Sequence, residues 1–235
     1  MKLSVIIPAY NEKNTILEVI RRVMDVPVEK EIIIVDDGST DGTSEILKQV
    51  IGGKWLGDSE RQEEIKIILK EKNEGKGAAI REGLKKTGGD VLVIQDADLE
   101  LDPSEYTFLL APILQGKTKV VFGSRFKKKV TGANIWLLIA NRIFTFLTNL
   151  LYGTHITDVM TCYKIIHREV FSKLVLRSNC FDIEPEIAGK ICKLGYSIYE
   201  IPISYIPRKF MSGKKINFFD SFSIIIALLK YRFFD

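Results

Sequence analysis

The chain has 235 residues, 46% of them apolar and 27% charged, enough for one large or two small domains with a real core. Lys and Arg number 34 against 30 acidic residues, a formal charge of +4, too little to argue for nucleic acid, which calls for a concentrated basic stripe. The three cysteines, Cys162, Cys180 and Cys192, form no CxxC pair and only two histidines accompany them, so no zinc set is available and a reducing cytosol is the expected compartment.

In chain order, "MKLSVIIPAY" is too short for a signal-peptide core and reads as a first strand, Leu3–Ile7. Further strand-like runs follow at Glu31–Asp36, Ile65–Lys70, Val91–Gln95 and Val120–Gly123. Between them lie helical patterns. Thr15–Met24 has Ile16, Leu17, Ile20, Val23 and Met24 on one face and Asn14 as N-cap. Ser44–Val50 is shorter and runs into "IGGKWLGDSE", which reads as a surface loop. Lys76–Lys86 and Pro103–Gln115 complete the set, the last opening with proline at a position helices favour. The strands are apolar throughout, as expected when both faces are covered, and their alternation with helices implies a doubly wound, mostly parallel α/β sheet. Such sheets bind ligands beyond the carboxyl ends of their strands. Five strand ends in a row carry polar, turning sequence: "PAYNE", "DDGSTDG", "EKNEGKGAA", "DADLE" and "GSR".

Each loop has a chemical and a bland reading. Asp96 and Asp98 repel one another unless a proton or a cation intervenes, and hard oxygen ligands suit Mg²⁺ or Mn²⁺. The alternative is an acidic helix cap, which suits Asp102 before Pro103. Glu100 continues the alternation as a third ligand. Asp36 and Asp37 can accept hydrogen bonds from a base or ribose or simply close a turn. "NEGKGAA" lacks the first glycine and the hydroxyl residue of a P-loop. Its Lys76 can still sit near an anion, while Ala78, Ala79 and Gly83 let the helix approach the sheet. Arg125 offers a fork for phosphate or a partner for a surface carboxylate.

Taken together, "VIIPAYNE", "IIIVDDGSTDGT", "KNEGKGAAIREGL", "DVLVIQDADLELDP" and "VVFGSR", followed by "FDIEPEI" and "YEIPISYIPR", closely resemble the glycosyltransferase family 2 enzymes of GT-A fold, and within them the polyprenyl-phosphate glycosyltransferases. The resemblance covers nearly the whole chain. It implies a GT-A, Rossmann-like domain over residues 1–210 and a C-terminal loop and amphipathic helix over 211–235. Residues matching Pro8, Tyr10, Glu12, Val35 and Asp37 would hold the nucleotide. Those matching Asp96 and Asp98, with Ala97 between them, would hold a divalent metal and the donor diphosphate. The position of Glu100 is often Gln in the family. Arg125 matches a phosphate-contacting arginine and Arg142 one placed for the acceptor phosphate. Arg208 and Lys214 match a pair on a loop closing over the donor, although the intervening "KFMSG" departs from the family's form.

The implied reaction moves mannose or glucose, with inversion, from GDP-mannose or UDP-glucose to a polyprenyl phosphate; these motifs do not fix the donor, and a UDP-N-acetylhexosamine is equally compatible with them. That acceptor is anionic and needs no general base. A family 2 enzyme using a hydroxyl acceptor would need one, with Asp158, Asp182 or Glu184 as candidates; a non-catalytic nucleotide-sugar-binding subunit would be expected to lack the metal carboxylates. The clustered basic residues, Lys127–Lys129 and Arg208, Lys209, Lys214 and Lys215, read as a solvated face or as a site for phosphate or an anionic membrane surface. Two apolar segments bear on the same question. Within Val130–Thr157, Arg142 argues against a membrane span. Instead Ala140, Ile143, Leu147 and Leu150 share one helical face over residues 133–153, opposite Asn141, Arg142, Thr145, Thr148 and Asn149. In Phe218–Phe233, Phe222, Ile225, Ile226 and Leu229 oppose Asp220, Ser223 and Lys230. Helices lying in the interface, on the cytoplasmic face of a membrane, are the expectation. A membrane-protein partner or a homo-oligomer stays open.

Overall fold

The computed structural model describes residues 1–51, 65–128, 130, 132–207 and 218–234. Seven strands form one sheet: β1 (Leu3–Ala9), β2 (Lys30–Asp36), β3 (Ile65–Leu69), β4 (Val91–Ile94), β5 (Val120–Ser124), β6 (Lys164–His167) and β7 (Tyr199–Pro202), in the order β3-β2-β1-β4-β6-β5-β7. All pairs are parallel except those of β6, which runs antiparallel to β4 and β5. The five expected strands are present. The unforeseen strands, β6 and β7, come from the runs "KIIH" and "YEIP", which are as short as β4 but lack its unbroken apolar character.

Helices cover both faces: α1 (Ile16–Asp25), α2 (Thr43–Ile51), α3 (Lys76–Leu84), α4 (Tyr106–Leu114), α5 (Ile135–Tyr152), α6 (Arg168–Phe171), α7 (Ile183–Lys193) and α8 (Phe218–Phe233). Two apolar clusters result. One packs α1 and α4 on Val5, Ile7, Ile32, Ile34 and Val93. The other packs α3, α5, α7 and α8 on Ile6, Ile33, Val35, Ile94 and Phe122. The close approach expected of α3 is observed: a Cβ at Gly83 would stand 2.7 Å from the Ile6 side chain. The cap of α1 differs from expectation. Thr15, not Asn14, precedes the first helical residue, and its hydroxyl turns back to Glu12. Asp102 does cap, accepting from Ser104 N at 3.0 Å, but Pro103–Glu105 form a 3₁₀ turn before α4 begins.

α5 reverses the usual sense of an amphipathic helix. Its polar Asn141, Thr145 and Thr148 face inward and are buried. Asn141 donates to Asp158 at 2.8 Å, and the Thr145 and Thr148 hydroxyls are bonded within the fold. Outward point Trp136 (74% exposed), Ile139, Ile143, Phe146 (64%) and Leu150 (69%), spaced three and four residues apart as one helical face requires. The polar stripe is therefore internal, because those groups satisfy buried partners that an apolar face could not. α8 packs on α5 and α7, buries an apolar face where α5 buries a polar one, and like α5 leaves apolar side chains outward. Ile224, Ala227, Leu228 and Tyr231 are buried while Phe222, Ile226, Leu229 and Phe233 are exposed. By length and composition α5 is long and apolar enough to cross a membrane.

Candidate active site

The carboxyl ends of β1 to β4 converge on one cleft, lined by residues from each following loop and by the segment entering α7. Its walls include Pro8, Tyr10, Glu12, Asp37, Lys76, Asp96, Ala97, Asp98, Cys180 and Phe181. The first two loops brace one another: Asn11 N donates to Ser39 Oγ at 2.9 Å, and its side-chain oxygen accepts from Thr40 N at 2.8 Å. Glu12 N donates to Thr43 Oγ1 at 2.9 Å. Asp37 is almost wholly buried. It accepts from Gly75 N at 2.7 Å and Glu74 N at 3.2 Å and pairs with Lys70, so it organises the third loop as well as lining the cleft. That loop turns at Gly75 with φ +102°, where a Cβ would fall 2.4 Å from Asn179 O. Only glycine fits there, and the contact draws residues 179–181 into the cleft wall. Val35 pairs with Pro8 in the sheet but is buried in the core beneath the cleft.

The Asp96–Asp98 stretch is a turn, not an extended continuation of β4; Leu99 has φ +62°. Its entry is fixed from below by buried Gln95. The Gln95 side-chain oxygen accepts from Tyr106 Oη at 2.6 Å and Tyr163 Oη at 2.8 Å, while its amide donates to Asp96 O at 3.0 Å. Both carboxylates line the cleft. Asp98 Oδ1 accepts from Glu100 N at 3.1 Å, and Asp96 Oδ1 lies 2.7 Å from Lys76 Nζ. Lys76 also pairs with Glu184 at 2.8 Å, and the other Glu184 oxygen pairs with buried Lys164. Burial disfavours the Lys76 ammonium, but Asp96 and Glu184 beside it hold its pKa well above the ordinary value. Burial and the Asp96 charge push the Cys162 thiol up, so it stays protonated and donates to Asp96 Oδ2. Glu100 engages the Tyr205 hydroxyl, and Ile206 N donates to Glu100 O at 2.9 Å. Among the described residues no three His, Cys, Asp or Glu side chains converge as a ready-made metal cage. Two carboxylates facing an open cleft fit a hard divalent cation that keeps water and phosphate oxygens as its other ligands.

Beside this turn lies a second cluster. Arg125, directly after β5, makes a bidentate pair with Asp158: Nε to Oδ2 at 2.7 Å and one terminal nitrogen to Oδ1 at 2.9 Å. Its guanidinium lies 5.2 Å from the centre of the Tyr205 ring. Burial would raise the Asp158 pKa, yet Arg125 and Asn141 hold it below the ordinary value. Arg142, next to Asn141 on α5, is exposed, with its guanidinium 5.0 Å from the centre of the Phe126 ring. Arg142 thus reaches the 125–127 turn that Arg125 opens. Arg208 and Lys214 lie outside the described residues.

The candidate bases for a hydroxyl acceptor are all engaged. Asp158 is held by Arg125, Glu184 by two lysines, and Asp182 accepts from Cys180 N at 3.1 Å. Sequence reasoning missed the roles of Gln95, Cys162 and Lys164. A polar Gln95 closing an apolar run was the only available signal; the others sit beyond residue 160, outside the loops that the alternation marks.

A family model described as glycosyl transferase family 2 matches residues 4–175. The chain is 31% identical to a UDP-N-acetylglucosamine–dolichyl-phosphate N-acetylglucosaminyltransferase of Methanococcus voltae over 97% of its own length and 94% of the relative's. It is 30% identical to a polyprenol monophosphomannose synthase of Mycolicibacterium smegmatis, covering 91% and 82%. Its fold matches glucosyl-3-phosphoglycerate synthase of Mycobacterium tuberculosis, solved with Mn²⁺, UDP and phosphoglyceric acid, with a TM-score of 0.74 at 22% identity, covering 100% of this chain and 79% of that one.

Proposed function

The chain belongs to glycosyl transferase family 2, and on that premise we propose that it moves a hexose, mannose or glucose, from a nucleoside-diphosphate sugar to a polyprenyl phosphate at a membrane surface, using Mg²⁺ or Mn²⁺ at Asp96 and Asp98. One observation carries this reading. α5 presents an apolar outer face, and from the same helix Asn141 and Arg142 reach the Arg125–Asp158 pair and the 125–127 turn. A phosphate head group entering from a bilayer would meet Arg125 and Arg142 where its lipid tail meets α5 and α8. Of the three enzymes named above, the two that are at least 30% identical carry a dolichyl phosphate or a polyprenol monophosphate sugar in their names.

In this reading Tyr10, Glu12 and Asp37 cradle the nucleotide, and Lys76, Asp96 and Asp98 face its diphosphate. A bound divalent metal supplies an offset for the charge that builds on the departing diphosphate. Arg125 and Arg142 attract the acceptor phosphate against repulsion from the donor. A phosphate oxygen forms its bond to the anomeric carbon as the bond to the diphosphate breaks, which inverts that centre. The nucleophile is already an anion, so no base is needed; the engagement of Asp158, Asp182 and Glu184 accords with this. Arg208 and Lys214 join the site as cations over the donor by family likeness alone. The protein sits peripherally, with α5 and α8 in the cytoplasmic interface and Lys230 and Arg232 beside the apolar stripe of α8.

The test is a panel of radiolabelled nucleotide sugars with a short-chain polyprenyl phosphate and, in parallel, free sugars. Transfer of mannose or glucose to the lipid phosphate is expected, with a loss of about 100-fold or more in Asp98→Asn. Transfer to hydroxyl acceptors alone, or an undiminished Asp98→Asn enzyme, overturns the reading.

A further inference from the structure

Asp96 is occupied from two sides before any ligand arrives. Lys76 Nζ stands 2.7 Å from Oδ1, and the Cys162 thiol donates to Oδ2. The ammonium is not held by Asp96 alone. It is 2.8 Å from Glu184 Oε1, and Glu184, 1% exposed in its side chain, is itself held through its other oxygen by the fully buried Lys164. Cys162 Sγ lies 3.3 Å from the same ammonium. The alternating row Lys164, Glu184, Lys76, Asp96 therefore runs from the core out to the cleft, with its outermost charge pair at the cleft wall.

A divalent cation approaching Asp96 without a nucleotide meets a positive charge already seated on the carboxylate. At this spacing and partial burial, like charges repel strongly. A metal arriving with a nucleoside diphosphate meets a different balance. The diphosphate offers the Lys76 ammonium a new anionic partner. Because Glu184 stays anchored by Lys164, Lys76 can turn from Asp96 without losing its second carboxylate. On the reading of Asp96 and Asp98 as metal ligands, we propose that Lys76 is a cationic placeholder on Asp96, with Glu184 as the positioning residue that keeps its ammonium at the cleft once it turns to the diphosphate, so that the divalent metal enters with the nucleotide and not before it. Asp96 is then shielded from Asp98 in the donor-free protein, and Lys76 is delivered to the diphosphate at the moment of binding.

The inference is tested by Mn²⁺ binding, followed by the electron paramagnetic resonance of free Mn²⁺, with and without saturating UDP and, in a parallel series, GDP. Wild type takes up Mn²⁺ weakly alone and at least about tenfold more tightly with the nucleotide. Lys76→Met and Lys76→Gln bind Mn²⁺ alone about tenfold more tightly than wild type, so their coupling to nucleotide shrinks by the same factor. Glu184→Gln leaves the ammonium on Asp96 and shows no such gain, while its affinity for the nucleotide falls. A merely structural role for Lys76 would weaken metal binding or leave it unchanged, so the rise is the discriminating readout. Circular dichroism and thermal melts establish that each variant is folded; should Lys76→Met fail, Lys76→Gln carries the comparison. Neutral variants that gain no Mn²⁺ affinity, or a wild type that binds Mn²⁺ equally well without nucleotide, overturn the placeholder and leave the metal site standing. Absence of Mn²⁺ binding in every protein, even with UDP or GDP, overturns the metal site itself and the placeholder with it.

Discussion

At the scale of single residues, the buried carboxylates of this protein divide by what surrounds them. Glu31 on β2 is remote from the cleft. It accepts from Ser4 Oγ, from Gly88 N and Gly89 N, and pairs with Lys66 at 2.6 Å. Burial alone would raise its pKa, but these partners bring it down to about 2 from an ordinary 4.5. A carboxylate depressed in the folded state stabilises above its unfolded pKa and loses that contribution as pH falls through the folded one. Wild type should therefore lose stability between pH 4.5 and about 2. Glu31→Gln should be less stable at pH 7, by about 1–2 kcal/mol, with the gap narrowing over that window in urea titrations at successive pH values. A gap independent of pH would deny the ionised pair its role. Asp96, Asp98 and Asp37 stood out in the sequence because they follow apolar runs. What each one touches did not, since Lys76 and Cys162 are brought to Asp96 from positions 20 and 66 residues away in the chain, and Glu184 to Lys76 from 108 away.

At the scale of elements, α5 and α8 show how far periodicity carries. The spacing of apolar residues identified both helices, and the bounds 133–153 enclose α5. It did not say which face would meet the protein. Asn141, Thr145 and Thr148 are drawn inward because Asp158 and buried backbone groups need partners there, and an unsatisfied polar group in the core is costly. The outward stripe is left apolar, and this supports an element-scale prediction. Trp136→Glu with Phe146→Glu should abolish flotation with anionic liposomes while shifting the thermal midpoint by no more than a few degrees, since both side chains are already exposed. A large loss of stability would mean that the stripe packs within the protein, and unchanged flotation would mean that α5 does not touch lipid. The antiparallel β6 escaped sequence reading for a different reason. Its run, Lys164–His167, holds two apolar residues between polar ends, unlike the equally short but wholly apolar β4, and strand direction depends on what the chain does between residues 125 and 163.

At the scale of the whole molecule, the cleft and the apolar stripes share one body. Ile224 and Leu228 of α8 join the cluster that contains Ile33, Val35 and Phe122. Tyr152 Oη donates to Leu228 O at 2.9 Å, and Tyr231 Oη meets Ser178 Oγ at 3.1 Å, one residue from the segment that packs on Gly75. Leu228→Ala should thus cost about 2–5 kcal/mol and lower a single unfolding transition seen alike by far- and near-ultraviolet circular dichroism. A separate early transition would make α8 a detachable tail. The sequence by itself determined the α/β alternation, the loops that carry the chemistry and the family, because burial of strands and turning of loops leave local marks in residue type and spacing. Only the tertiary structure decided which charges neutralise which, the inward turn of the polar stripe on α5, and the placement of Arg125 and Arg142 at one turn. Those are contacts between residues distant in the chain, set by packing and by the need of every buried charge for a partner, and neither leaves a local signature.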